Sequence, residues 1–335
     1  MKRHDYSIKS GLVILDENAD GFNSSDLTIV AGGDESGKTS FVLTAIKNIC
    51  QNKSACPVFF SLDLTFDRAK LKIQSQLKEN IFENSRLIID DNHSYTVETI
   101  CKKAEKYVRW QKRDIIFIDC RDFLTTDDET KTPSEKQAYI VQKLKSLARK
   151  LNVPVVCTSC MSGDVPEDSQ LNELKNFEPI SLASDVVVLM SRAKQNLHKY
   201  YGRGKLNIAK NRNGVTDSTE IYFDYFNYCI VENYLKFSDI EIFDDRAVQI
   251  VIKNIESQDL AKALKASDEK VQEKFFKNMS RQAKTMLLED MEFIGPIPLD
   301  VAMMSQREIE EVMNRLNDEG EIVVAKGMDF MHLVE

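Results

Sequence analysis

Two kinds of segment are missing from this sequence of 335 residues. Its longest aliphatic runs, such as DVVVLM at 185–190, are far shorter than the ~18–20 apolar residues that a membrane-spanning helix needs. The first ten residues, MKRHDYSIKS, have no apolar core of the kind that signal peptides carry. The hydrophobic content of 42% and the charged content of 29% are typical of a globular protein. The sequence therefore predicts a cytoplasmic protein without membrane insertion.

The seven cysteines lack the dense, regular spacing of a disulfide-bonded scaffold, which fits a reducing compartment. Cys157 and Cys160 form a C-x-x-C pair, but no second pair and no histidine cluster completes a zinc site. Cys120 could lie nearby. We interpret these residues as cysteines at the end of a buried strand, with a metal or redox role as the alternative.

The acidic charge is concentrated at one end of the chain. Residues 236–335 contain 13 Lys and Arg against 21 Asp and Glu, a net charge of −8. Residues 1–235 contain 32 of each kind and are neutral overall. A segment with this excess of acid is poorly suited to hold nucleic-acid phosphates.

Residues 1–235 alternate short β-branched runs with amphipathic helices, which predicts an α/β domain with a largely parallel sheet covered on both faces. The predicted strands are LTIVAG (27–32), PVFFSLD (57–63), RLIIDD (86–91), DIIFID (114–119), VPVVCTS (153–159) and DVVVLM (185–190). From about residue 205 the pattern indicates an antiparallel extension with an Asn-Gly turn at 213–214.

Residues 236–335 predict a second, small all-α domain. No Gly or Pro occurs between Gly214 and Gly295, and this span contains the patterns of several short helices. One more helix is predicted to end at Gly320. The predicted N-caps of three helices are Ser257, Ser267 and Ser280.

The stretch GGDESGKTS at 32–40 has the P-loop pattern, with a predicted strand before it and a helix after it. Backbone N–H groups of such a loop point at nucleotide phosphates. We therefore predict that ATP is bound with Mg²⁺, with Lys38 at the β/γ-phosphates and the Thr39 hydroxyl on the metal ion. The predicted nucleotide-binding residues are Gly32, Gly33, Ser36, Gly37, Lys38, Thr39 and Ser40.

Two carboxylates follow predicted strands. Asp119 ends DIIFID, where a P-loop protein needs an acidic partner for Mg²⁺. Asp63 ends PVFFSLD and is a candidate for orienting the attacking water. The alternative for each is an aspartate that only terminates a strand.

Several stretches of residues 10–232 together resemble the motor domain of DnaB-type replicative helicases. They stand in the family's order: GFNSSDLTIVAGGDESGKTSFVLTAI, VFFSLDL, IIFIDC, LKSLARKLNVPVVCTS and LNIAKNRNGVT. The resemblance implies a RecA-like fold and a hexameric ring with ATP between subunits. It also implies that Lys210 and Arg212 reach the neighbour's ATP site, with Arg212 as the trans-acting arginine finger. A solvated turn is the alternative for this pair.

Three positions depart from that family's pattern. Asp63 stands where the family has Glu, so hydrolysis is expected to be slower. Cys160 replaces a Gln and cannot make an amide hydrogen bond. The loop at 163–179 has five acids and one base, Lys175, where the family's DNA-contacting loop is Arg-rich. A basic surface elsewhere could be formed by Lys72, Lys78, Lys102, Lys103 and Arg109.

Residues 236–326 resemble the C-terminal domain of the flagellar motor-switch protein FliG, on the stretch from DIEIFDDRAVQIVIKNI to GPIPL and on REIEEVMNRLNDEGEIVV. In that family a charged helix contacts the stator. The candidate partner-binding residues are Lys265, Arg281, Glu289 and Asp290. The family's arginines fall on Gln282, with Arg281 one position early, and on Pro298, so the partner of this domain stays open.

We interpret the sequence as a RecA-like, DnaB-type ATPase joined to a FliG-like helical interaction module. The first hypothesis is a ring of identical subunits that hydrolyses ATP at subunit interfaces, with weak or absent nucleic-acid binding and a protein partner for the helical module. The second is a nucleotide-dependent assembly or adaptor protein with little turnover, for example in a flagellar-motor-like complex. The third is a functional DNA helicase.

Overall fold

A computed structural model describes residues 6–75, 82, 86–92, 94–128, 130–161, 178–193, 201–224, 228–232 and 234–324. The chain divides into two compact units, Met1–Glu232 and Asn233–Glu335. This division lies three residues before the predicted boundary between 235 and 236. Within the described ranges, every helix is too short or too polar to cross a membrane.

The first unit contains a nine-stranded sheet with the order β11-β10-β9-β8-β3-β7-β6-β4-β5. Its strands are β3 (Leu27–Gly32), β4 (Pro57–Ser61), β5 (Ile88–Asp90), β6 (Ile115–Asp119), β7 (Val155–Cys160), β8 (Val186–Arg192), β9 (Tyr201–Asn211), β10 (Ser218–Asp224) and β11 (Cys229–Val231). A separate two-stranded sheet is formed by β1 (Ser7–Ile8) and β2 (Phe22–Asn23). All six predicted strand segments are present, with bounds shifted by up to two residues at an end.

Six neighbouring strands of the sheet are parallel, in the spatial order β8, β3, β7, β6, β4 and β5. The other three strands, β9, β10 and β11, extend the sheet in antiparallel fashion. The parallel strands are almost continuously apolar because both of their faces are covered. The helices of this unit are α1 (Val13–Asn18), α2 (Lys38–Gln51), α3 (Phe66–Gln74), α4 (Val97–Gln111), α5 (Pro133–Leu151) and α6 (Glu178–Ala183). Residues of α2 and α3 belong to the apolar core of one sheet face, and residues of α4 and α5 to the core of the other.

The Asn-Gly pair at 213–214 lies in the connection between β9 and β10, as the sequence predicts. Asn211 supports this turn, because its side-chain amide donates to the Val215 carbonyl at 2.8 Å. The antiparallel extension begins at Tyr201, somewhat before the predicted start near residue 205.

The described residues of the second unit form a 3₁₀ helix, Phe237–Ile242, and five α-helices. These are α7 (Asp245–Lys253), α8 (Ser257–Leu264), α9 (Glu269–Lys277), α10 (Arg281–Ile294) and α11 (Leu299–Asp318). Apolar side chains from all of them form one core, in which Phe237 stacks on Phe275 with ring centroids 5.5 Å apart. This core gives the second unit its own source of stability.

Two of the three predicted N-caps in the second unit are wrong. Ser280 caps α10, since its hydroxyl accepts from the Ala283 N–H at 3.2 Å. The cap of α9 is Asp268, one residue after Ser267, and its carboxylate accepts from the Val271 N–H at 3.0 Å. Ser257 is the first residue of α8 rather than its cap. At α9 two adjacent polar residues compete for the position, and Asp268 is the one whose oxygen reaches a free N–H group. The cap of α8, Glu256, makes no such side-chain hydrogen bond.

Candidate nucleotide-binding site

The predicted phosphate loop connects the end of β3 to the start of α2 at the carboxyl edge of the parallel strands. Gly37 caps α2 with φ +90°, a backbone conformation that residues with a Cβ rarely adopt. At Gly32 an added Cβ would lie 2.3 Å from Ser36 Oγ and 2.5 Å from the Met190 carbonyl oxygen. Both glycines are therefore required by the backbone path. The loop and the start of α2 present backbone N–H groups of the kind that bind phosphate.

An aromatic ring from the antiparallel extension closes the back of this loop. A Cβ at Gly37 would lie 2.1 Å from the ring of Phe223, and a Cβ at Gly204 would lie 2.6 Å from the same ring. Phe223, on β10, therefore occupies a slot between two residues without side chains, and it is 3% exposed. The conformation of the loop depends on packing as well as on its own sequence.

Lys38, the first residue of α2, is folded back over the loop. Its Nζ donates to the carbonyl oxygens of Gly32 and Gly33 at 3.0 and 2.6 Å, and the residue is 8% exposed. The ammonium group is thus held by the loop into which a phosphate would bind. Because carbonyl groups are weaker partners for an ammonium ion than phosphate is, this lysine can exchange one for the other.

Thr39 and Asp119 form the other half of the site. The Thr39 hydroxyl donates to Asp119 Oδ2 at 2.8 Å, and the Thr158 hydroxyl donates to Oδ1 at 2.5 Å. Asp119 is 2% exposed, and the pKa of its carboxyl is raised overall, mainly by burial. The two hydroxyl hydrogen bonds partly offset this shift, and the charge of Asp63 adds to it. A hydroxyl beside a carboxylate is a set of hard oxygen donors that suits Mg²⁺.

Asp63 is an exposed residue two positions beyond the end of β4. It lies at the same sheet edge as Asp119, because Ser61 pairs with Asp119 across β4 and β6 and the Leu62 N–H donates to the Asp119 carbonyl at 2.5 Å. The pKa of Lys72 is lowered, first by burial and then by the charge of Arg68, and the charges of Asp63 and Asp119 partly offset this shift. Asp63 is therefore exposed to solvent at the end of the parallel strands where the phosphate loop also lies.

A cavity of about 230 Å³ opens in front of the phosphate loop. It is lined by Glu35, Ser36, Gly37, Lys38, Thr39, Ser40, Arg192 and Phe223. The guanidinium of Arg192 lies 5.9 Å from the centre of the Phe223 ring and donates to the Glu35 carbonyl at 3.3 Å. Sequence reasoning missed Arg192 and Phe223. The available signal for Arg192 was a cation at the end of a strand that runs parallel to β3.

Lys210 and Arg212 lie at the opposite end of the strands, where the parallel strand β8 begins. Lys210 pairs with Val187 on β8, and Val187 pairs with Ile29 on β3, so this position is about 10 Å before the phosphate loop along the strands. Within its own chain, Lys210 donates to the carbonyl oxygens of Ser181 and Ser184, the latter at 2.7 Å. Burial, followed by the charge of Arg212, lowers the pKa of Lys210.

Two of the four candidate residues of the second unit, Lys265 and Asp290, lie where α8 and α10 meet. Lys265, just after α8, donates from Nζ to the Met291 carbonyl at 2.7 Å. Asp290 accepts from the Ser257 hydroxyl at 3.2 Å, and Arg281 and Glu289 are exposed on α10. Residues 163–177 of the predicted acidic loop, together with Lys78 and the chain after residue 324, lie outside the described residues, whereas Glu178 and Pro179 begin α6.

Comparisons with known proteins agree with this architecture. The sequence-family model of the DnaB-like helicase C-terminal domain matches residues 7–79 and 65–239. The family model of the FliG C-terminal domain matches residues 226–324. The replicative DNA helicase DnaB of Rickettsia conorii is 25% identical over 282 residues, which cover 67% of this chain and 57% of that protein. FliG of Borreliella burgdorferi is 50% identical over 91 residues, which cover 27% of this chain and 26% of that protein.

A solved DnaB-like replicative helicase, described with its interactions with primase, superposes with a TM-score of 0.59 at 19% identity. The match covers 68% of this chain and 62% of that chain, and it shows a RecA-like fold. The chain spans between about a quarter and just under three fifths of the length of these curated relatives. The chain belongs to the DnaB-like helicase C-terminal domain family and carries, at its other end, a segment that matches the FliG C-terminal domain.

Proposed function

We propose that the protein binds Mg²⁺-ATP at its phosphate loop and hydrolyses it between the subunits of a homo-oligomeric ring, for which we expect six copies. One observation carries this proposal. The carboxyl end of the parallel strands holds Lys38, Thr39, Asp119 and Asp63. The opposite end of the strands holds Lys210 and Arg212. One ATP molecule can therefore contact both sets of residues only if the two sets come from neighbouring subunits.

Each residue has a definite task in this proposal. Lys38 binds the terminal phosphates, and the Thr39 hydroxyl and Asp119 carboxylate hold Mg²⁺, which would neutralise phosphate charge. Asp63 orients the attacking water, and Arg212 of the adjacent subunit stabilises the charge that develops during transfer. The hydrogen bond between Thr39 and Asp119 supports the metal assignment, because it brings the two oxygen ligands within 2.8 Å of each other.

Nucleic-acid binding is expected to be weak or absent. The loop at 163–179 carries five acidic residues and one basic residue, and phosphate contacts require cations. Two residues of the alternative basic surface are also engaged: Lys103 forms an ion pair with Asp90 at 2.9 Å, and Arg109 forms one with Glu105 at 2.9 Å. The helical unit would instead bind a protein partner.

A second candidate is a nucleotide-dependent assembly protein with little turnover, which the shorter carboxylate at Asp63 favours. An ATPase assay with and without single-stranded DNA separates the candidates. Turnover that DNA does not change supports the ring ATPase proposed here. ATP binding with almost no turnover supports the assembly protein, and strong stimulation by DNA supports the helicase.

A further inference from the structure

Two cysteines and a carboxylate from separate elements meet beside the nucleotide site. Cys120 follows β6, Cys160 ends β7, and Asp122 lies in the 3₁₀ helix Arg121–Phe123. The two Sγ atoms are 3.8 Å apart, and Cys120 Sγ is 3.1 Å from Asp122 Oδ2. Cys157, the other member of the C-x-x-C pair, is fully buried in the sheet core and is not part of this cluster.

We propose that Cys120, Asp122 and Cys160 bind one divalent cation of the zinc class. Their ligand atoms all lie within 4.8 Å of one another. A tetrahedral zinc ion with Zn–S bonds of about 2.3 Å separates two sulfur ligands by ~3.8 Å, the spacing found here. A disulfide would require the sulfur atoms to approach to about 2.05 Å. The observed spacing therefore fits a bridging metal ion without rearrangement of the two side chains.

The surroundings of the cluster orient its carboxylate and balance its charge. Arg121 donates to Asp122 Oδ1 at 2.7 Å and to the Ser159 hydroxyl at 2.8 Å, and the Cys160 N–H donates to Asp122 Oδ2 at 2.6 Å. Such outer contacts fix the direction of a metal ligand. Two thiolates, one carboxylate and one guanidinium carry a net charge of −2, which a divalent cation neutralises.

The cluster can transmit its state to the phosphate loop through the backbone. Cys160 pairs with Gly32 across β7 and β3, and the next N–H, of Met161, donates to the Gly32 carbonyl at 3.0 Å. The same carbonyl accepts from Lys38. A metal ion bound to Cys160 would therefore fix the end of β7. Gly32, the first residue of the phosphate loop, is hydrogen-bonded to this end of the strand. This role goes beyond ATP hydrolysis and does not require it.

The test uses the full chain, reduced and stripped of metal with a chelator. Titration with Co²⁺ should produce a thiolate-to-cobalt charge-transfer band that saturates at one ion per chain, and competition with a chromogenic chelator gives the Zn²⁺ affinity. Cys160→Ser should weaken Zn²⁺ binding by about 100-fold or more, because loss of even an outer partner costs ~10–100-fold. Asp122→Asn should weaken it as well. Cys56→Ser, a half-buried cysteine outside the cluster, should leave the affinity unchanged.

Two results would overturn the proposal: no charge-transfer band, or the same Zn²⁺ affinity in Cys160→Ser as in the parent chain. The result is separable from the fate of the ATPase proposal, because Lys38→Ala leaves all three ligands in place. That variant should bind one Zn²⁺ ion whether or not it binds ATP.

Discussion

The Arg212 guanidinium donates to Oδ1 of Asp185 at 3.1 Å, and this contact holds the candidate arginine finger within its own subunit. Asp185 is 4% exposed and also accepts from Lys145 and from the Leu27 N–H. The Arg212 side chain is about half exposed, and its second amino group donates to the Leu182 carbonyl at 3.1 Å. In the proposed ring, Arg212 acts on the nucleotide of a neighbouring subunit, because the phosphate loop of its own subunit lies at the other end of the strands.

Trans action of Arg212 predicts complementation. Arg212→Ala and Lys38→Ala chains should each be nearly inactive, but a mixed ring contains some interfaces with both Lys38 and Arg212 intact. The ATPase rate of the mixture should therefore exceed the sum of the rates of the two separate variants. Arg149→Ala, an exposed arginine on α5 outside the residues that line the cavity, is the control and should keep its activity. A mixture no more active than that sum would remove the support for a shared site.

Lys38→Ala should abolish measurable ATP binding, because the substitution removes the cation that the loop positions for the terminal phosphates. Calorimetric titration with Mg²⁺-ATP measures the effect directly. Lys47→Ala, on the same helix but outside the loop, should bind like the parent chain. Equal affinity in the parent and Lys38→Ala chains would contradict the proposed site.

Asp63→Asn should lower kcat by about 10²–10⁴-fold while the affinity for ATP hardly changes, since an amide cannot accept the proton of the attacking water. Asp63→Glu should raise kcat above the parent value if the missing methylene limits the reaction. Asp67→Asn, an exposed carboxylate on α3, is the matched control. Unchanged turnover in Asp63→Asn would mean that another group orients the water.

Binding of single-stranded DNA should be weak, and the ATPase should respond little to it. The measurement is fluorescence anisotropy of a labelled oligonucleotide over a series of salt concentrations, with a non-hydrolysable ATP analogue present. Each phosphate contact steepens the fall of affinity with salt, so few contacts give a shallow slope. Tight binding at physiological salt with a steep slope would instead restore the helicase.

Phe275→Ala should lower the free energy of unfolding of the second unit by about 3–5 kcal/mol, because it removes a buried ring that stacks on Phe237. Hydrogen exchange of peptides from residues 234–324 reports on this unit separately. Phe293→Ala makes the same chemical change at a side chain that is 94% exposed, and its peptides should exchange like those of the parent. Equal protection in both variants would show that the aromatic stack adds no stability.

Features written in contiguous residues could be predicted from the sequence. The β-branched runs gave the parallel strands, and the glycines around Lys38 gave the phosphate loop, because local sequence dictates both. Residues brought to the site by packing could not be predicted. Arg192 and Phe223 reach the loop from strands more than 150 positions away. The sequence does indicate that Cys120 could lie near Cys160, and the pairing of β6 with β7 brings the two together. The cap of α9 failed for another reason, since Ser267 and Asp268 are both good caps and only the backbone path decides between them.

The Phe223 ring between Gly37 and Gly204 sets a lower limit on the fragment of this protein that can bind a nucleotide. A chain trimmed after β8 would keep every residue of the phosphate-loop motif and all of the parallel strands. It would also replace the ring behind Gly37 with solvent, and the loop would lose the wall against which its left-handed turn is packed. We therefore expect the smallest fragment that binds a nucleotide to extend past Phe223, well beyond the end of the phosphate-loop motif.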